Sequence, residues 1–262
     1  MSRAEAVARL AQRWRRSGLT PGGMTLVHSS LRRTLAGLDE SADVDGPGVV
    51  LDSLAAAVGE AGTLLFPLFN FDFTRGAPFD MRKTVSHMGA LTEAARVRPG
   101  AVRTGHPVYS FAAIGAEAGR FEGLVNTSGY GADSPFAVLR EAGGRIAVLD
   151  LPDQQSMTFY HHVEESLGAP WRYHKAFEGD WTGLDGETRR RAFSIYVRDL
   201  ERGVITHVDP MGERLWSERI WRGDRPGRGT GLRVADARAV FDAAAEVIRA
   251  GNAKGLLYTT AP

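Results

Sequence analysis

His161, His162, Glu164 and Glu165 fall within five residues in the stretch SMTFYHHVEESLGAPWRYHK, which runs from Ser156 to Lys175 and holds three of the seven histidines. On a helix, His161 pairs with Glu164 and His162 with Glu165 at i, i+3, the spacing of surface neighbours. A carboxylate bonded to one imidazole nitrogen fixes the tautomer and leaves the other nitrogen free to accept a proton. Adjacent histidines point about 100° apart on a helix, so they do not share one ion comfortably. The spacing is not that of H-E-x-x-H, and a third ligand would have to come from His28, His106 or His174. Three readings stand open from this stretch alone: an oriented general base, a metal site, or a solvated polar helix face.

The chain has 262 residues and no cysteine, so disulfides, thiolate zinc sites and a cysteine nucleophile are excluded. Lys and Arg number 32 against 31 Asp and Glu, for a formal net charge of +1. So balanced a chain carries no electrostatic footprint for nucleic acid or for an anionic membrane. The N-terminal MSRAEAVARLAQRWRRSG lacks the apolar core of a secretory signal and reads as an amphipathic helix with Ala6, Leu10 and Trp14 on one face. No apolar run approaches the roughly 20 residues that span a bilayer. A cytoplasmic protein is the expectation.

The elements that must position the histidines alternate along the chain. MTLVHSS, GTLLFPLFNF (ending near Pro67), YSFAAIG and GRIAVLDL read as strands. PGVVLDSLAAAVGEAG reads as a helix, as do SHMGALTEAARVRPG with Ser86 as its N-cap and SPFAVLREAGG with Pro135 at its first position. Further on, RRRAFSIYVRDL has the alternation of a half-buried strand. MGERLWSERIWR and RVADARAVFDAAAEVIRAG have helical periodicity, and GLLYTT suggests a last strand. The pattern predicts an α/β protein with a central mixed sheet flanked by helices. It is read as one domain over 1–262, with a substrate-side subregion over 180–230 as its one subdivision. Ligands in such folds bind beyond the carboxyl ends of strands, which singles out His28–Ser30, Pro67–Asn70 and Asp150–Asp153.

Taken in order, LVHSSLRR, GTLLFPLF, the S-x-M-G-A-L block at 86–91, the R-x-x-H-P-x-x-S-F-A-A-I-G block at 103–115, YGADSPFAVLREAGGRIAVLDL and the T-x-x-H-x-x-E spacing at 158–164 resemble the aminoglycoside 3-N-acetyltransferase (antibiotic N-acetyltransferase) family. The resemblance runs from about residue 3 to 180, and more loosely beyond. It implies transfer of an acetyl or related acyl group from acetyl-CoA to a primary amine of an aminoglycoside or another small molecule, on a fold unrelated to the GNAT acetyltransferases. The family's histidine and glutamate fall on His161 and Glu164, with Thr158 one turn earlier. His161 is preferred over His162 because Thr158 and Glu164 then sit at the family's offsets. By position the resemblance also implies coenzyme A contacts at Ser29, Ser30, Leu31, Ser86, Met88, His106, Ser110 and Phe111; from the histidine spacing no metal is expected.

An alkyl amine is protonated at neutral pH, so a histidine with a pKa near ~6.5 suits the task of taking its proton. The oxyanion formed by attack on a thioester needs donors, for which Ser29–Ser30 or Thr158 are candidates. Without cysteine, direct transfer in a ternary complex is the expected route. The chain departs from the family's resistance enzymes where a Gly- and His-Asp-rich segment is replaced by LDLPDQQSMT. An acidic cleft for a polycationic acceptor would draw on Asp150, Asp153, Glu165 and Asp180, with Tyr173, His174 and Lys175 at its border. The alternatives are a biosynthetic N-acyltransferase without aminoglycoside activity and a metal-dependent hydrolase using the histidines. A homodimer would form through the apolar C-terminal third.

Overall fold

The computed structural model describes residues 2–38 and 45–261. In chain order its elements are α1 (Arg3–Arg16), β1 (Gly23–Ser29), α2 (Arg32–Ala36), α3 (Gly46–Val58), β2 (Gly62–Pro67), β3 (Phe79–Asp80), α4 (Ala90–Arg96), β4 (Val102–Arg103), β5 (Phe111–Gly115), α5 (Pro135–Glu141) and β6 (Arg145–Leu149). There follow α6 (Asp153–Ser156), α7 (Phe159–Ser166), β7 (Arg172–Thr182), β8 (Thr188–Arg198), β9 (Val204–Thr206), α8 (Asp209–Ser217), β10 (Arg222–Gly223), β11 (Leu232–Asp236), α9 (Ala237–Arg249) and β12 (Tyr258–Thr260).

A seven-stranded sheet of order β10-β11-β6-β1-β2-β5-β4 forms the centre, with β6, β1 and β2 parallel and the outer strands antiparallel. Alternation along each inner strand divides the core in two. Met24, Leu26, Leu65, Ile146 and Val148 face one layer; Val27, Leu64, Phe66, Ala147 and Leu149 face the other. The second layer is closed by α1, α3 and α4, where Trp14 is fully buried and its Nε1 donates to Ser53 Oγ at 2.7 Å. The first is closed by α5, α7, α8 and α9. From β1 the chain passes through α3 to β2 on one face, while α5 leads into β6 on the other. The carboxyl end of β1 therefore lies where the winding reverses, the usual place for a ligand crevice.

Two other sheets flank this one: β3-β7-β8 and β12-β9. The antiparallel β7–β8 hairpin runs from Arg172↔Arg198 to Thr182↔Thr188 and is tied back by Trp181 Nε1, which donates to Gly105 O at 2.8 Å. Residue 180 lies inside β7.

Local structure departs from the sequence reading in four places, one of them MGERLWSERIWR, whose helix α8 ends at Ser217 before Arg222 enters β10. Ser86 does not cap α4, whose N-cap is Gly89 at φ 104°; its hydroxyl instead accepts from Met88 N and pairs with Thr92 Oγ1. RVADARAVFDAAAEVIRAG is not one helix: Leu232–Asp236 is strand β11, and α9 starts at Ala237 with Asp236 accepting from Ala239 N at 3.0 Å. The free edge of β6 recruits that segment, and the sheet pairing outweighs its helical periodicity. Strand β7 was not legible because residues 173–178 are mostly exposed on both faces and show no alternation.

Candidate functional site

Helix α7 carries the paired histidines and is locked in rotation from both sides. Tyr160 OH donates to Asp153 Oδ2 at 2.8 Å, and Asp153 in turn accepts from Arg233 Nη2 at 2.8 Å. On the next face His162 Nδ1 donates to Tyr130 O at 2.7 Å, with its ring among Phe136, Phe159 and Phe241. His162 is wholly buried, and burial pushes its pKa down to about 4. With Tyr160 and His162 thus spent on packing, the turn of the helix brings His161 to the opening.

His161 Nδ1 lies 2.8 Å from Glu164 Oε2, the i, i+3 pair expected of this helix. Glu164 is 1% exposed, and its other oxygen accepts from Trp171 Nε1 at 2.8 Å. Across the turn that follows α7 comes Arg172, whose Nε lies 2.7 Å from Glu164 Oε2 although its N–H is not aimed at that oxygen. Arg172 Nη1 donates to Tyr196 O at 3.0 Å, and Nη2 lies 2.8 Å from His161 Nδ1. A single imidazole nitrogen cannot donate to Glu164 and accept from Arg172 at once. With the proton on Nδ1 and given to Glu164, Nε2 is the free base; with Nδ1 accepting from Arg172, Nε2 carries the proton.

The electrostatics favour a neutral imidazole. Burial pushes the His161 pKa below its ordinary value and the Arg172 charge adds to this, while Glu164 pulls the other way. Burial opposes the charged form of Glu164, but Arg172 and His161 overcome it and hold its carboxyl below the usual range. A neutral histidine backed by an ionised glutamate can accept a proton and share the resulting charge with its partner.

His161 opens into a cleft of about 390 Å³. On one side stand Phe71, Tyr109 and Tyr130; on the other the hairpin presents Tyr173, Lys175, Phe177, Ile195 and Arg198. Tyr109 packs edge-on against Phe69 at 4.8 Å, and Phe69 against His28, so the cleft wall adjoins the ends of β1 and β2. Among the described residues no group of three His, Asp or Glu side chains converges as a metal site would need.

The remaining candidates fall into two sets. Ser29 ends β1 and Ser30 and Leu31 follow it; all three are partly exposed, as are Ser86, Met88 and Thr158. His106, Ser110 and Phe111 are buried. His106 Nδ1 accepts from Val108 N and Tyr109 N, its Nε2 donates to Ser194 O, and burial takes its pKa down to about 4. Ser110 Oγ accepts from Arg103, and Phe111 meets Phe69 and Phe136 edge-on in the core. These three side chains brace the wall from behind.

The four carboxylates suggested for an acidic cleft do not meet. Asp150 pairs with Arg33 at 2.9 Å, Asp153 is buried against Arg233, Glu165 accepts from Ser128 Oγ, and Asp180 lies by Arg190 on the hairpin. None of them lines the cleft at His161. Conversely, Trp171, Arg172 and Tyr130 escaped the sequence reading. For the first two the signal was present in WRYHK directly after the helix, but nothing local says that Arg172 turns back onto Glu164.

A family profile described as aminoglycoside 3-N-acetyltransferase matches residues 26–249. The chain is 32% identical to aminoglycoside N(3)-acetyltransferase VII of Streptomyces paromomycinus, covering 72% of this chain and 71% of that one. It is similar to the crystal structure of aminoglycoside acetyltransferase AAC(3)-Xa at a TM-score of 0.74 and 28% identity, over 93% of this chain and 95% of that one. AAC-IIIb in its binary complex with CoASH shares the fold at a TM-score of 0.79 and 23% identity, over 100% and 99% of the two chains.

Proposed function

Because the chain belongs to the aminoglycoside 3-N-acetyltransferase family, we propose that His161 is the general base of an acetyl-CoA-dependent N-acetyl transfer to a primary amine of an aminoglycoside or other amino-bearing small molecule. One observation carries the assignment: His161 faces the cleft with its Nδ1 on a buried carboxylate, while the adjacent His162 is sealed in the core.

In the reaction the amine nitrogen bonds to the thioester carbonyl carbon, and the carbon–sulfur bond breaks. His161 Nε2 takes the proton that the amine must lose, and the imidazolium gives it to the departing sulfur, leaving an amide and a free thiol. Glu164 accepts from Nδ1–H throughout and stabilises the transient cation. Charge on the carbonyl oxygen would be met by donors at Ser29–Ser30 or Thr158. Acetyl-CoA would lie along Ser29, Ser30, Leu31, Ser86 and Met88, with His106, Ser110 and Phe111 supporting that wall. A cytoplasmic setting is supported by the cysteine-free sequence and the co-substrate. A homodimer through the C-terminal third is the assembly to test by light scattering. No helix among the described residues is long and apolar enough to cross a membrane.

Thiol release from acetyl-CoA with a panel of amines tests the reading, since the protein adds no thiol of its own. Amine-dependent release that disappears in His161→Ala is expected. Undiminished release by that variant would remove His161 from the mechanism.

A further inference from the structure

The β7–β8 hairpin is rich in basic residues, and three of them are ion-paired. Arg172 has Glu164. Arg189 has Asp185 and Glu187, Arg190 has Glu178 and Asp180, and Arg191 lies over the Trp181 and Phe193 rings. Lys175 and Arg198, like Arg191, have no carboxylate within ion-pair distance among the described residues, but unlike Arg191 they are exposed. Lys175 Nζ only leans over the Phe177 ring at 5.5 Å. Both line the cleft into which His161 opens.

The register makes the arrangement more pointed. Arg198 is directly opposite Arg172 across the two strands, a like-charge pair that ordinarily weakens a sheet. Glu164 offsets one member of the pair and nothing described offsets the other. Beside His161, Arg172 and Thr206, the rest of the wall is aromatic and apolar, so Lys175 and Arg198 are the exposed charges it presents. Among the described residues no carboxylate lines the cleft, and Glu164 is committed behind His161. A polycationic acceptor would meet two uncompensated positive charges there.

We propose that Lys175 and Arg198 are specificity-determining residues that make the acceptor side of the cleft prefer a primary amine whose scaffold also bears an anionic group, a phosphate or carboxylate, over a polycationic one. This rests on His161 marking the acceptor site. The same cations could instead serve the phosphates of the donor, so the test separates the two sources.

Glucosamine and glucosamine 6-phosphate share one amine and differ in the anion, and sisomicin supplies the polycation. The CoA-loaded protein, titrated calorimetrically with each, is expected to bind the phosphorylated sugar about tenfold tighter than glucosamine. In Lys175→Glu/Arg198→Glu the order should invert in favour of sisomicin, with the KM for acetyl-CoA unchanged; Lys175→Met and Arg198→Met should fall between. Equal affinity for the two sugars overturns the proposal, and so does a double variant whose principal defect is a raised KM for acetyl-CoA. If His161→Ala keeps full turnover while the anion preference and its inversion persist, the catalytic assignment fails and the selectivity stands. If His161→Ala is inactive and the sugars bind alike, the selectivity alone fails.

Discussion

Arg172 Nε lies 2.7 Å from Glu164 Oε2, and the two side chains are only 5% and 1% exposed. The pair is formed across the loop between α7 and β7, so one contact joins the helix carrying His161 to the hairpin that walls the cleft. It sets the charge state of Glu164 and, through Glu164, the orientation of the histidine.

Breaking that pair should be costly on either side. Removing one partner strands a buried charge, for which about 3–5 kcal/mol is typical. Glu164→Gln and Arg172→Met should each lower the unfolding free energy from urea melts by that order, and the double variant should lose less than the sum of the two. Strict additivity would mean that the contact contributes no coupling.

The same geometry predicts the acid limb of activity. His161 is faced by Glu164 from its own helix, by Arg172 from β7, by Arg198 from β8 and by the Tyr130 ring at 5.2 Å. Burial and the two arginines hold it neutral against the pull of Glu164. The acid limb of kcat/KM should therefore lie below the ordinary histidine value of about 6.5. Arg172→Met removes a neighbouring cation and should move that limb upward, whereas Arg172→Lys should leave it nearer the parent. A limb that stays put in Arg172→Met would show that Arg172 does not act on the base.

Buried histidines also tie stability to pH. Burial holds His28 at about 3 and His106 and His162 at about 4, all below the unfolded value. A depressed pKa means the unfolded chain binds the proton first. Their contribution is thus complete above about pH 6.5 and is lost as pH falls toward the folded values, at up to about 1.4 kcal/mol per pH unit for each histidine. Denaturant melts at pH 7 and pH 5 should show this loss. His162→Gln, though less stable at pH 7, should have a slope shallower by up to one proton.

Gly212 offers a test of how α7 is held. It sits within helix α8, where alanine ordinarily gains about 1 kcal/mol over glycine. Here an added Cβ would fall 2.5 Å from Asp153 Cγ, on the carboxylate that accepts from Tyr160 and Arg233. Gly212→Ala should therefore destabilise, by about 1–3 kcal/mol. Because Tyr160 precedes His161 on α7, kcat should fall with it, and an ordinary helix-stabilising effect would contradict the account.

The inner strands were readable from their short apolar runs bounded by turn residues. Most helices were readable too, because their caps and periodicity are local: Ser134 accepts from Ala137 N as SPFAVLREAGG implies. His161 and Glu164 were also legible, because i, i+3 neighbours need only a helix. Tertiary structure decided what those patterns could not hold. Which of two adjacent histidines meets the cleft depends on Tyr160 and His162 finding partners in Asp153 and Tyr130, 7 and 32 residues away in the chain. That Arg172 turns onto Glu164, while Lys175 and Arg198 stay unpaired among the described residues, depends on a hairpin whose exposed faces carry no periodic signal. Helices and buried strands are written in near-neighbour spacing, but the partner of a charge is chosen by whatever the fold brings within a few ångströms and shields from water.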